Sequence, residues 1–217
     1  MADNDSRAGS TYLSRAILDY LATPHAPHDA GLLQAFSAPE AHGIPAIQVG
    51  PSEGKLLGLL LRLAGARKVV EVGTLAGYSA IHLARALPPE GHLWSIEFSA
   101  EHAAVARRNL EAAGLAGRVT VVEGAALDVL PTLEQHGPFD AVFIDADKIN
   151  YDGYGRWAIR NLRTGGLMLG DNAVYFGKLL GEEPAAAAMR RFHEEAARQM
   201  DTVCIPTPDG LLVGIKR

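Results

Sequence analysis

KVVEVGTLAGYSA, residues 68–80, decides the fold of this chain. KVVEV reads as a short buried strand, and residues 77–86 read as a helix. Between them lie Gly73 and Gly77, which suit a tight turn and a close backbone approach. A strand that runs through a glycine loop into a helix is the start of a parallel α/β unit, and open sheets of that kind bind ligands at the carboxyl ends of their strands. The helix N-terminus also offers amide donors to an anionic group.

The same alternation continues outward. HLWSIE (92–97) is a strand, 100–113 a helix ended by Gly114, and RVTVVE (118–123) a strand. Residues 126–135 are helical with Pro131 marking a kink or boundary, FDAVFID (139–145) is a strand, 151–162 a helix and GLMLG (166–170) a strand. A helix over 185–199 and two strands, DTVCIP (201–206) and GLLVGIKR (210–217), close the chain. The pattern predicts an α/β fold with a mostly parallel sheet covered by helices on both faces. Upstream, 1–9 reads as a frayed tail and 10–21 as a helix with Tyr12, Leu13, Ala16, Ile17 and Tyr20 on one side. A loop over 22–29, a second helix over 30–41, a connector over 42–51 and a buried third helix capped by Ser52 and ending near Leu63 complete the N-terminal region, 10–64. No interdomain linker is visible, so 1–217 is read as one domain.

The chain has 217 residues, enough for a sizeable core, and is 48% hydrophobic and 21% charged. A net charge of -5 argues against nucleic acid as an obligatory partner. Its one cysteine, Cys204, allows no intrachain disulfide, fits a cytoplasmic location, and reads as a core residue of an apolar strand. The polar N-terminus lacks a signal-peptide core, and no apolar run is long enough to span a bilayer. The eight histidines show no HxxH or HExxH spacing, which argues against zinc.

Chemistry concentrates in FDAVFIDADKINY (139–151) and in the pair Asp171-Asn172. Asp145 and Asp171 each end a predicted strand, and adjacent strand ends would bring them together with the Asn172 amide oxygen. Two carboxylates, an amide oxygen, water and two substrate oxygens complete the octahedral shell of a hard cation such as magnesium. Lys148, three residues after Asp145, can accept a hydroxyl proton. Glu97 ends the second strand, where an acidic residue binds ribose hydroxyls in nucleoside-binding α/β folds. Asp147 can reach toward a bound cofactor.

EVGTLAGYSA, WSIE, FIDADKINY and LGDNAVYFG resemble the cation-dependent O-methyltransferases, the group that includes catechol and caffeoyl-coenzyme A O-methyltransferases. The resemblance runs from about Ala46 to the C-terminal PDGLLVGIKR. It implies a class I methyltransferase (Rossmann-like) fold, with a seven-stranded sheet whose last strand is antiparallel. It implies S-adenosyl-L-methionine as methyl donor and Mg2+ as metal, with Mn2+ or Ca2+ as substitutes. Carried onto this sequence, it places Glu71, Gly73, Thr74 and Ser79 at the amino-acid end of the cofactor, Glu97 on the ribose and Ala126 by the adenine. Asp147 and Val49 become further cofactor contacts. Asp145, Asp171 and Asn172 become metal ligands and Lys148 the general base. The family often has Trp where this chain has Tyr175, and 46–54 (AIQVGPSEG) lacks the Met and the Ser or Thr common in relatives. A homodimer built on the apolar N-terminal helices is also implied.

The expected reaction is methylation of one hydroxyl of a vicinal diphenol, a small phenolic substrate. A hydroxylated tRNA base is the alternative acceptor, for which Arg156, Arg160, Arg163, Arg190 and Arg191 would have to form a basic patch. A non-catalytic cofactor-binding module is disfavoured by the intact Asp145, Lys148, Asp171 and Asn172 set. A nicotinamide oxidoreductase is disfavoured because the glycine loop is not GxGxxG.

Overall fold

The structure is a computed structural model that describes residues 12–217. The tail 1–9 and the start of the helix expected over 10–21 lie outside the described residues. The N-terminal helices are α1 (Arg15–His25), α2 (Ala30–His42) and α3 (Pro51–Leu63). They are followed by β1 (Lys68–Val72), α4 (Tyr78–Ala86), β2 (His92–Glu97), α5 (Ala100–Ala112), β3 (Val119–Glu123) and α6 (Ala126–Leu133). The remainder is β4 (Phe139–Ile144), α7 (Tyr151–Asn161), β5 (Leu162–Gly170), α8 (Pro184–Gln199), β6 (Met200–Ile205) and β7 (Leu211–Lys216).

The strands form one seven-stranded sheet in the order β3-β2-β1-β4-β5-β7-β6. All pairs from β3 to β5 are parallel, and β7 runs antiparallel to both of its neighbours. Strand order reverses between β1 and β4. Their carboxyl ends are therefore the switch point at which a crevice opens.

Strand residues alternate between two buried faces, which explains the near-continuous apolar runs. Val69, Phe143 and Leu169 join a core with Leu57, Leu61, Ile81 and Leu110, under α2, α3, α4 and α5. Val70, Val142, Ile144 and Met168 join Leu130, Trp157, Met189 and Phe192, under α6, α7 and α8. On the first face α3 lies unusually close to α4. A Cβ at Gly54 would meet the His82 ring at 2.5 Å, and one at Gly58 the His82 carbonyl at 3.2 Å.

The sequence expectations need five corrections. The first helix begins at Arg15, so Tyr12 and Leu13 precede it. It also runs on through Pro24 to His25 rather than ending before a 22–29 loop. Ser14 supplies its cap, accepting the Ile17 N–H at 3.3 Å, and Pro24 is tolerated near its end. The third helix is capped at Gly50, not Ser52, because Pro51 occupies the first helical position and Glu53 accepts the Gly50 N–H at 2.7 Å. β5 starts at Leu162 rather than Gly166: a register irregularity lets Leu162 pair with Phe139 before the regular ladder resumes at Leu167. Cys204 is exposed rather than core, because β6 is an edge strand and only its first residue is buried.

His82 carries a pH consequence. Burial between α3 and α4 pushes its imidazole down to about 4, with His28, Arg85 and Lys55 adding to the effect and Asp29 opposing it. The unfolded chain takes up this proton near pH 6.5, whereas the folded chain does not until about pH 4. The contribution to stability is thus complete above pH 6.5 and lost as pH falls toward 4, up to about 3 kcal/mol. Glu71 and Asp171, both raised to about 7, act with the opposite sign over part of that range. The comparison to make is therefore urea unfolding of wild type against His82→Gln. Between pH 7.5 and 5 the wild type should lose roughly 2 kcal/mol more than the variant; parallel losses would show that His82 is not the titrating group.

Candidate active site

The glycine loop and the acidic strand ends meet at the switch point. Gly73 has φ +100°, and a Cβ there would lie 1.9 Å from the Asp145 carbonyl oxygen, so only glycine fits. β1 continues into this contact, with Asp145 N–H donating to the Val72 carbonyl at 2.8 Å. Asp171 N–H donates in turn to the Ile144 carbonyl at 2.9 Å, which sets the second aspartate beside the first. The buried Tyr151 hydroxyl lies 2.6 Å from the Ile144 carbonyl and 2.5 Å from the Asp171 carbonyl, pinning the ends of β4 and β5 together.

Asp171 is pushed up to about 7 by burial first and then by the Asp145 carboxylate, with Glu53 adding to it, while the Asn172 backbone N–H and Lys148 pull it down. Asn172 follows in the left-handed region with φ 52°, which Asn tolerates, and its Nδ2 is 3.5 Å from Asp171 Oδ2. Lys148 Nζ is 3.3 Å from Asp145 Oδ1 and 4.7 Å above the Tyr151 ring. Among the described residues no group of three His, Cys, Asp or Glu forms a metal site, and the third oxygen donor here is an amide. Two crowded carboxylates and an amide oxygen are the donor set of a hard divalent cation, and their excess negative charge is what such a cation offsets. A cavity of about 10 Å3 beside Asp171 is lined by Val49, Glu53 and Thr207. Val49 thereby lies beside Asp171.

The residues expected around the cofactor's amino-acid end form a closed network. Glu71 is fully buried and accepts the Ser79 hydroxyl at 2.5 Å and the Ser95 hydroxyl, and Ser95 is bonded in turn to the Thr74 hydroxyl. Burial pushes Glu71 up to about 7 against the pull of those two hydroxyls. Ser95 escaped the sequence reading because it lies inside a strand. Glu97 accepts the Leu75 N–H at 2.8 Å and the Thr74 N–H at 3.2 Å through one oxygen. Its other oxygen accepts the Ser99 N–H at 3.0 Å. It therefore braces the glycine loop, and a carboxylate retains further lone pairs for a diol. Ala126 opens α6 just beyond the end of β3, where Gly124 N–H bonds the Glu97 carbonyl at 2.9 Å. Asp147 is exposed and accepts the Tyr154 hydroxyl and, at 2.7 Å, the Asn150 amide.

The aromatic expected after the ligand pair divides into two. Tyr175 packs against the second core face, whereas Phe176, with φ 52°, is 62% exposed. Three of the five arginines considered for a basic patch are ion-paired. Arg156 and Arg191 pair with Asp152, Arg163 pairs with Asp140, and Arg190 donates to the Leu179 and Gly181 carbonyls. Among the described residues no helix is long and apolar enough to cross a membrane.

A seven-stranded sheet of this order, with a glycine loop and acidic strand ends at its switch point, defines a Rossmann-like methyltransferase. A sequence model described as O-methyltransferase matches residues 29–217. A catechol O-methyltransferase of Niastella koreensis is 48% identical over 170 residues, 76% of this chain and 77% of its own. One of Mycobacterium tuberculosis is 48% identical over 161 residues, 74% of this chain and 73% of its own. The structure of an O-methyltransferase from Bacillus cereus in complex with SAH superposes with a TM-score of 0.89 at 37% identity, covering 93% of this chain and 97% of that one. The chain belongs to the O-methyltransferase family and is an enzyme that transfers methyl groups to oxygen.

Proposed function

We propose that this enzyme methylates one hydroxyl of a catechol-type small molecule, using S-adenosylmethionine and a divalent metal ion. The observation that carries the reading is the convergence of Asp145, Asp171, Asn172 and Lys148 beside the Gly73 loop. The similarity to catechol O-methyltransferases and to an SAH-bound structure supports it. S-adenosylmethionine would supply an electrophilic methyl group, and Asp145, Asp171 and Asn172 would hold a divalent cation, whose charge would make a phenolic hydroxyl more acidic. The chain's own residues do the rest. Glu97 holds the ribose, while Glu71, Gly73, Thr74 and Ser79 shape the pocket for the amino-acid end. Ala126 and Asp147 flank the nucleoside, and Val49 closes the side next to Asp171. Lys148 accepts the proton from the reacting hydroxyl, and the fixed positions of both reactants supply most of the acceleration.

The test is methyl transfer from labelled S-adenosylmethionine to a panel of catechols and dihydroxybenzoates, with magnesium and with EDTA. Product that requires magnesium is expected. No product from cofactor-binding enzyme across the panel would refute the acceptor class. Lys148→Ala should lower kcat by roughly 100-fold, in keeping with the loss of a general base, and leave the cofactor Kd within twofold; an unchanged kcat between pH 6 and 9 would remove the base role.

The same reading includes a homodimer. α1 buries no residue of its own, Tyr20 is 75% exposed, and Leu63 of α3 is 85% exposed. A monomer mass by light scattering at working concentration would contradict it.

A further inference from the structure

Asp209 lies in the turn between β6 and β7. Its carbonyl accepts the Val174 N–H at 3.1 Å and its Oδ1 accepts the Phe176 N–H at 2.9 Å. Next to it, the Gly210 carbonyl accepts the Ala173 N–H at 2.9 Å. The turn thus grips the segment that follows Asp171, in which Asn172, Tyr175 and Phe176 all have positive φ. One atom is left over: among the described residues, Asp209 Oδ2 is buried and has no hydrogen-bond partner. A buried carboxylate oxygen without a donor is costly, so its neighbours matter. Those that act on this carboxyl group include Asn172, Lys148 and Asp145. Lys148 is already committed to Asp145 at 3.3 Å. The Asn172 amide has only a long 3.5 Å contact to Asp171.

We propose that Asp209 is a positioning residue for Asn172: its Oδ2 takes the Asn172 amide N–H and so fixes the amide oxygen toward Asp145 and Asp171. The proposal rests on the metal reading above. A primary amide has one donor end and one acceptor end, and a cation takes only the oxygen. An ionised carboxylate accepts and cannot donate, so it selects the orientation in which the NH2 group faces Asp209. Groups that orient a metal ligand in this way typically change metal affinity about 10- to 100-fold when removed.

Asp209→Asn separates this role from the grip on the loop, because it keeps an oxygen for the Phe176 N–H and puts a donor in place of Oδ2. Mn2+ titration followed by electron paramagnetic resonance should show affinity weakened about 10- to 100-fold. The S-adenosylmethionine Kd and the melting temperature in chelator should not change. In an Asn172→Asp background, where there is no amide to orient, the same substitution should no longer weaken Mn2+ binding. A second measurement needs no variant: in Mg2+-loaded wild type the Asn172 side-chain NH2 protons should exchange slowly with solvent. If wild type binds Mn2+ and Asp209→Asn binds it with the same affinity, this proposal alone is overturned, as it is by fast exchange of those protons. A rise in catechol KM with unchanged Mn2+ affinity also overturns it and assigns Oδ2 to the substrate. Wild type that binds no Mn2+ overturns the metal reading, and this one with it.

Discussion

Asp145→Ala should abolish metal-dependent turnover, by roughly a thousandfold or more, while the protein stays folded and binds S-adenosylmethionine normally. That factor corresponds to about 4 kcal/mol of transition-state stabilisation, within the several kcal/mol a metal ion supplies to such chemistry. The fold should tolerate the change because Asp145 holds its neighbours through its backbone. Its N–H bonds the Val72 carbonyl, and its own carbonyl is the atom that Gly73 packs against. Its carboxylate, by contrast, adds to the upward push on Asp171 and Glu71, so removing it relieves two buried acids. Circular dichroism, cofactor titration and turnover with and without EDTA check all three parts. Full activity in chelator would sink the site assignment.

Gly73→Ala should be the most damaging single methyl group in the protein. The added Cβ lies 1.9 Å from the Asp145 carbonyl oxygen, and that contact is backbone, which cannot swing away. The residue also sits at φ +100°, a conformation that costs a non-glycine residue on the order of 1–3 kcal/mol. Together these should remove about 4 kcal/mol or more, lowering Tm by roughly 10 °C for a chain of this size. Relief requires the glycine loop and the Asp145 strand end to part, so cofactor and metal affinities should fall together. Gly117→Ala is the control, since among the described residues nothing beyond its chain neighbours lies within 4 Å of a Cβ there. If the two variants melt within about 2 °C of each other, the close approach carries no weight.

The fold was largely legible because strands buried on both faces leave apolar runs that turn residues punctuate. Val69 and Val70 are adjacent in sequence yet serve opposite cores. What could not be read was anything set by position in the sheet. Cys204 belongs to a run as apolar as a central strand, and only the strand order reveals that it stands exposed on an edge strand. The start of β5 was hidden because RTGG has turn composition, while its pairing with Phe139 is a tertiary contact.

The site divided along similar lines. Asp145, Lys148, Asp171 and Asn172 are grouped in two short motifs, and the structure brings them together. Ser95 bonds Glu71 from inside a strand, Tyr151 pins the ends of β4 and β5 from a helix, and Asp209 holds the loop after Asp171 from a distant turn; each looks ordinary in its own stretch of sequence. Glu71 and Ser79 were picked out by motif alone. The sequence gives no sign that they bond each other across eight positions inside the core.

The two faces of the sheet also set an order of assembly. Helices α2 to α5, all made before β4, cover one face, whereas the helices of the other, α6 to α8, belong to the second half of the chain. During synthesis the early strands can therefore bury Val69 and Leu93 while the side bearing Val70 and Val72 stays wet until α7 and α8 emerge. Asp145 and Asp171 directly follow β4 and β5, and the turn that grips the loop after Asp171 is made later still. The glycine loop and Glu97 are thus made before Asp145, Lys148, Asp171 and Asn172, so a chain stalled between them presents a half-covered sheet with only the first half of the site.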